Sequence, residues 1–268
     1  MFKIGINIEA RPPEKIAPGY ETAEIPISEM MFPFHSEAIW AEKRAYIESL
    51  PIPPIKASSH LLHGFGLIGT GPDVDWEQVT FWTRRSFKRL AELGVEVMGC
   101  YGGHFAVPDG FSRTKAKDQA IRFCNLLADC AQEHGLKVAL EAYSNPETLF
   151  PRYLQGVAIA KEVNRPEIGT MADLNYFIDL NQDLNDIKQA PEMLLNCHIA
   201  GESGQPGVGD RVEWHTNFFR VLRDIGYERS VHVACPWVST DGGPLNITKE
   251  TAKALSYLQD LRDKVYSE

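Results

Sequence analysis

The sequence predicts an α/β fold of the (β/α)8 TIM-barrel type, and three observations carry that prediction. Eight runs of strand length recur along the 268 residues. Segments of helical period separate most of them, and no linker, low-complexity tract or short internal repeat interrupts the alternation. Strands rich in Val, Ile and Leu that alternate with helices form a parallel sheet covered by helices on its outer face. Eight such units in about 260 residues suit a closed barrel, whereas a doubly wound sheet needs fewer strands or more chain. A single domain over residues 1–268 is therefore expected.

The elements follow in order. FKIGINI (2–8) is the first strand, and the segment RPPEKIAPGY after it carries three prolines in ten residues. Proline removes an amide donor and clashes inside a helix, so the first helix is expected to be degenerate, a loop or one turn. TAEIPI (22–27) is the second strand; LPIPPIK (50–56) ends the second helix and stiffens the approach to the third strand, PIKASSHL (54–61). Asp75, Trp76, Glu77 and Gln78 open the next helix with a capping-box pattern. Val79, Trp82, Ser86, Leu90 and Leu93 form its inner stripe and Gly94 ends it. VEVMGCY (95–101) precedes a helix over about 114–134, with Ala116, Ala120, Cys124, Leu127 and Ala131 on one face and Gly135 as its stop. LKVALEA (136–142), EIGTMAD (167–173), MLLNCHI (193–199) and SVHVAC (230–235) complete the strands. Trp76, Trp82, Phe218 and Phe219 follow helical spacing and are expected to pack helices onto the barrel.

Composition narrows the function. Lys and Arg number 27 against 36 Asp and Glu, a formal net charge of −9. Phosphate backbones and anionic lipids are bound through Lys and Arg, so neither nucleic acid nor a membrane surface is an expected partner. No run of eighteen apolar residues is present, and the N-terminus MFKIGINIEARPPEK carries acids where a secretory leader would be apolar. The five cysteines contain no C-x-x-C pair, which suits reduced thiols in a cytoplasmic protein. A small-molecule ligand fits this chain best.

In a barrel, the C-terminal ends of the strands share one mouth. VALEA brings Glu141 there, GTMAD brings Asp173 and NCHIA brings His198, on three successive strands. Two carboxylates and an imidazole make a site for a divalent ion, Mn2+ foremost, with Mg2+, Co2+ or Zn2+ as alternatives. His60 and His63 in SSHLLHGF and His104 in CYGGHF lie at the same predicted mouth, placed to contact a polyol or to transfer a proton. The glycine-rich segment CHIAGESGQPGVGD (197–210) has no Lys or Arg and carries Glu202 and Asp210, which disfavours a phosphate loop. His198 is its one strong chemical feature.

These motifs resemble the xylose isomerase-like TIM barrels, the sugar phosphate isomerase/epimerase group. GYETAEIPI, GPDVDWEQ, AELGVEVMGCYGG with VPDGF, HGLKVALEAYSNPETLF, GTMADLN, CHIAGESGQPGVGD and FFRVLRDIGYERSVHVACPW carry the resemblance over nearly the full chain. It implies a carbohydrate isomerase or epimerase that uses a divalent metal and abstracts a proton next to a carbonyl, in a homo-oligomer. It also implies a metal set of Glu141, Asp173, His198 and a final Glu, with Glu147 and Glu202 as candidate substrate-binding residues.

The chain departs from the family pattern at three places. Counting from Gly226, the final Glu is replaced by Ala234; a family His becomes Tyr176; and an Arg is missing from ESGQPG. Loss of one of two opposed acid/base carboxylates argues against two-base epimerisation and leaves one-base isomerisation through Glu141, with His104, Tyr176 or His232 as proton donors. Elimination on a keto-sugar or glycoside, as in a lyase or dehydratase, and a non-catalytic sugar-binding or complex-subunit barrel are the alternatives. Residues two apart on a strand share a face, so His232 is expected inside the barrel one layer below position 234, at about 6–7 Å along the strand.

Overall fold

The structure, a computed structural model, describes residues 1–8, 12–27, 36–59, 66–209 and 211–268. Eight strands, β1 (Lys3–Asn7), β2 (Thr22–Pro26), β3 (Ile55–Ser59), β4 (Val97–Cys100), β5 (Lys137–Glu141), β6 (Ile168–Asp173), β7 (Leu194–Ile199) and β8 (Ser230–Val233), pair in sequence order. All pairings are parallel, and β8 closes on β1 through Lys3–Ser230 to Ile6–Val233. Helices α1 (Glu37–Ser49), α2 (Trp76–Glu92), α3 (Arg113–His134), α4 (Tyr153–Val163), α5 (Leu174–Asp179), α6 (Val212–Asp224) and α7 (Ile247–Ser267) lie between or after the strands. Between β1 and β2 the described chain forms only a 3-10 turn, Pro13–Lys15, so the proline-rich segment does exclude a full helix.

Local chemistry accounts for the helix limits. Asp75 Oδ1 accepts the Gln78 amide at 3.0 Å and Asn246 Oδ1 accepts the Lys249 amide at 3.1 Å, each satisfying an orphan donor of the first turn. Gly135 follows α3 with φ 72°, the left-handed conformation that a side chain disfavours. The layer between strands and helices holds Trp82, Phe87, Phe123, Phe218 and Phe219, all fully buried. Among the described residues no helix is long and apolar enough to cross a membrane, and the five cysteines are free and buried.

The barrel interior is divided. Val97, Ala139, Met171 and Leu195 form a small apolar cluster on the β4–β7 side. Polar side chains fill the rest: Asn7, Thr22, Glu24, Ser59, Asn196, His198 and His232 are each 6 % exposed or less. Gly5 makes room among them, because a β-carbon there would lie 2.2 Å from His232 Cδ2 and 2.6 Å from Thr22 Oγ1.

Candidate metal centre

Three adjacent strand ends converge. Glu141 is the last residue of β5, Asp173 the last of β6, and His198 lies one residue before the end of β7. A register irregularity between Thr170 and Met171 lets β6 bring Asp173 level with His198. One ligand atom from each of Glu141, Asp173 and His198 lies within 4.8 Å of the other two. His198 Nδ1 is 3.7 Å from Glu141 Oε1 and 3.7 Å from Asp173 Oδ2. These separations are too long for direct hydrogen bonds. They match ligands held about 2.1 Å from a shared ion, which at tetrahedral angles lie about 3.4 Å apart. The donor set of two buried carboxylates and one ring nitrogen therefore fits a divalent cation. Asp173 is held in place as the N-cap of α5, its Oδ1 accepting the Asn175 amide at 2.8 Å.

Beneath these groups lies Glu24 of β2, which is fully buried. It is surrounded by donors: Asn7 Nδ2 donates to Oε1 at 2.8 Å, Asn196 Nδ2 donates to Oε2 at 2.9 Å, and His198 Nε2 lies 2.9–3.0 Å from both oxygens. Burial alone would raise its pKa, but His198, His232 and Asn196 outweigh that and hold it well below the usual carboxylate range. Burial works against the charged form of His198 too, yet Glu24, Asp173 and Glu141 together raise its pKa well above the ordinary value. In the absence of a metal, this pocket favours a proton on His198.

An aromatic wall stands beside the ligands. Tyr101 and Tyr143 rings are 4.8 Å apart, Tyr143 and Tyr176 rings 5.2 Å apart, and His104 meets Tyr101 edge-on at 5.5 Å. The close turn that builds it requires Gly102, where a β-carbon would lie 2.3 Å from the Glu141 carbonyl oxygen. Burial, reinforced by Glu141 and Asp173, pushes the Tyr176 phenol far above its ordinary pKa; burial and Tyr143 do the same to Tyr101. Both stay protonated and can donate hydrogen bonds, not act as bases.

The other anticipated residues are dispersed. His232 is inside the barrel as parity requires, but in a closed layer below the mouth, with Nδ1 2.9 Å from Asn196 Oδ1 and Nε2 3.2 Å from Thr22 Oγ1. Burial lowers its pKa to about 4. Glu147 is on an exposed loop whose carbonyl receives the Val107 amide at 2.8 Å, and Glu202 is exposed on the loop after β7. His60 and His63 lie outside the described residues. Ala234 follows β8, its amide bonded to Ile199 O at 3.1 Å, and offers no ligand atom.

The glycine-rich segment is a compact turn. Gly201 N donates to Gly204 O at 2.8 Å, and the buried Gln205 donates to Glu250 Oε2 and Val238 O, each at 3.0 Å. Arg211, just past it, donates to Gly201 O at 2.8 Å and to Asn175 Oδ1. An arginine thus does reach the rim, from further along the chain than the family spacing implies.

Comparison with known proteins agrees with this architecture. Residues 17–261 match the model of the xylose isomerase-like TIM barrel family. Inosose isomerase of Bacillus licheniformis is 30 % identical over 129 residues, 44 % of this chain and 46 % of that protein. The inosose isomerase of Bacillus subtilis is 27 % identical over 78 residues, 29 % of this chain and 28 % of that protein. The alignments thus span less than half the length of the curated relatives. Among solved structures, D-psicose 3-epimerase of Clostridium cellulolyticum with D-tagatose superposes with a TM-score of 0.77 at 19 % identity, covering 97 % of this chain and 99 % of that one. The IOLI protein with a bound zinc atom gives 0.70 at 19 % identity, with 99 % and 98 % covered. The 3-keto-D-glucoside 4-epimerase YcjR of E. coli gives 0.74 at 17 % identity, with 97 % and 100 % covered. At such identities the structural likeness is one of fold.

Proposed function

Because the chain belongs to the xylose isomerase-like TIM barrel family, we propose that it is a divalent-metal-dependent carbohydrate isomerase that moves a proton next to a carbonyl. The convergence of Glu141, Asp173 and His198 within 4.8 Å carries this reading. The printed activities of its relatives, inosose isomerases by sequence and sugar epimerases by fold, support the substrate class.

Glu141, Asp173 and His198 would hold the ion, which when bound would polarise a substrate oxygen and favour negative charge next to the reacting carbon. Mn2+ remains the expected metal from the hard, carboxylate-rich donor set, and the zinc in the IOLI protein makes Zn2+ the nearest rival. Glu141 is the base: its carboxylate takes the proton and returns it to the neighbouring carbon on the same face of the substrate. Tyr176 donates a hydrogen bond to a substrate oxygen, and His104 stands at the end of the tyrosine row as a further donor. Ala234 leaves no second carboxylate opposite Glu141, which favours one-base isomerisation over two-base epimerisation. The same loss favours a second reading, elimination by a lyase on a keto-sugar or glycoside.

Product analysis on inososes and 2-keto and 3-keto sugars separates the two, since an isomerase conserves substrate mass and a lyase does not. Uptake of no Mn2+, Co2+ or Zn2+ by the purified protein, together with unchanged turnover in Glu141→Gln, overturns the metal-enzyme reading in favour of a non-catalytic barrel. The expected setting is a cytoplasmic homo-oligomer; light scattering of the purified protein measures the second point.

A further inference from the structure

We propose that Glu24 is the positioning residue of the metal centre: it fixes the orientation and tautomer of His198 and supplies from beneath the site a negative charge that position 234 does not. The inference rests on the metal reading above.

Its geometry leaves little freedom. Both Glu24 oxygens already accept amide N–H groups, from Asn7 and Asn196, and the His198 nitrogen 2.9–3.0 Å from both completes this acceptor's ring of donors, so it carries a proton. That assigns an N–H to Nε2 and leaves Nδ1, which is 3.7 Å from both Glu141 and Asp173, as the nitrogen that would offer its lone pair to an ion. Facing two carboxylates, Nδ1 carries either a proton or a bound cation, and the two compete for the same lone pair. A histidine ligand whose second nitrogen donates to a carboxylate is both oriented and made a stronger donor.

Further bonds lock Glu24 in turn. Asn7 Nδ2 and Asn196 Nδ2 donate to opposite oxygens of the carboxylate, at 2.8 and 2.9 Å. Asn196 then presents Oδ1 to His232 Nδ1 at 2.9 Å, which makes that nitrogen a donor and leaves His232 Nε2 as the acceptor nitrogen, 3.2 Å from the Thr22 hydroxyl that also bonds Ser230 Oγ at 3.1 Å. From Glu24 outward, the orientation of Asn196 and then the tautomer of His232 follow one from the other. A divalent ion would meet Glu141 and Asp173 directly and a third buried carboxylate, Glu24, only through the His198 ring, while Ala234 holds no ligand.

The test measures metal affinity, not turnover. Wild type, Glu24→Gln and Glu24→Asp are titrated with Co2+ alone, followed by its visible absorption, and with Zn2+ in competition. Glu24→Gln keeps the shape and loses the charge; an affinity about 10- to 100-fold weaker is expected, with Glu24→Asp between it and wild type and the metal-free circular dichroism retained. Folded Glu24→Gln that matches wild type within twofold overturns the inference. If the variants do not fold, 15N-histidine NMR of the Zn2+-loaded wild type decides: Nδ1 metal-bound with a proton on Nε2 supports the assignment, and Nε2 metal-bound overturns it. Wild type that binds neither ion overturns the metal reading and this inference together, whereas wild type that binds while Glu24→Gln binds equally overturns this inference alone.

Discussion

A β-carbon on Gly5 would lie 2.2 Å from Cδ2 of His232, so the smallest residue of β1 is what admits the largest polar side chain of the deep barrel layer. Gly5→Ala must push the His232 ring or spread β1 from β8. Overpacking of this kind costs about 1–3 kcal/mol, read from urea denaturation. Because His232 holds Asn196 and Asn196 holds Glu24, the same variant is expected to weaken metal binding several-fold from outside the site. Adding His232→Ala to Gly5→Ala relieves the clash, so the stability losses of the two changes are expected to be less than additive.

Ala234→Glu restores a carboxylate to the strand end beside His198. A fourth ligand is expected to tighten Zn2+ about tenfold or more, about 1.4 kcal/mol, measured by competition with a chelator. It also places a base opposite Glu141, and solvent-deuterium incorporation into both epimers of a keto-sugar, absent in wild type, is the expected consequence.

Tyr176→Phe removes a phenol that burial, Glu141 and Asp173 keep protonated. A hydrogen bond to a charged oxygen contributes about 1.5–3 kcal/mol, so kcat is expected to fall about 10- to 100-fold while bound metal per chain stays unchanged. Loss of metal in this variant would assign Tyr176 to holding the site, not to the substrate.

Acid lability is expected from two buried histidines. Burial lowers His215, held between Tyr257 Oη and the Ala200 carbonyl at 2.9 Å each, and His232 to about 4, from an ordinary value of 6.5. Between those values the unfolded chain binds more protons than the folded one, so stability falls as pH falls through 6.5 and the loss levels off below about 4. The loss is on the order of 3 kcal/mol for each buried histidine. His215→Gln is expected to flatten the slope of Tm against pH in this window by about one proton.

His198 has the opposite sign. Its pKa is raised in the metal-free fold, so its contribution is full below the unfolded value near 6.5 and is lost as pH rises through the folded value. Binding an ion through Nδ1 removes that proton. The increase in Tm on adding Zn2+ is therefore expected to be larger at pH 8.5 than at pH 6; an increment independent of pH would place the metal elsewhere.

The strands were legible in the sequence because their apolar runs are bounded by polar turns: FKIGINI contains Lys3–Asn7 and MLLNCHI contains Leu194–Ile199. The prolines of RPPEKIAPGY correctly exclude a first helix, and strand parity correctly puts His232 inside the barrel. Glu24 escaped, although TAEIPI carries its signature: Thr22 and Glu24 share one face while Ala23 and Ile25 share the other. A carboxylate on the inner face of a buried strand needs partners, and those partners, Asn196 and His198, are 172 and 174 residues away. Loop conformation is less legible: the motifs single out Glu147 and Glu202, and that both side chains are exposed comes only from the folded loops.

That same separation bears on how the protein folds. Glu24 is on the second strand to be made and His198 on the seventh, so their contact exists only after the ring has closed. Strands β5 to β7 by themselves could bring the three ligands together but would leave His198 without its anchor. Contacts this distant in sequence form late, after most of the loop-closure entropy has been lost. A metal that binds only the closed ring acts as a latch on it, and the appearance of Co2+ absorbance during refolding becomes a clock for barrel closure.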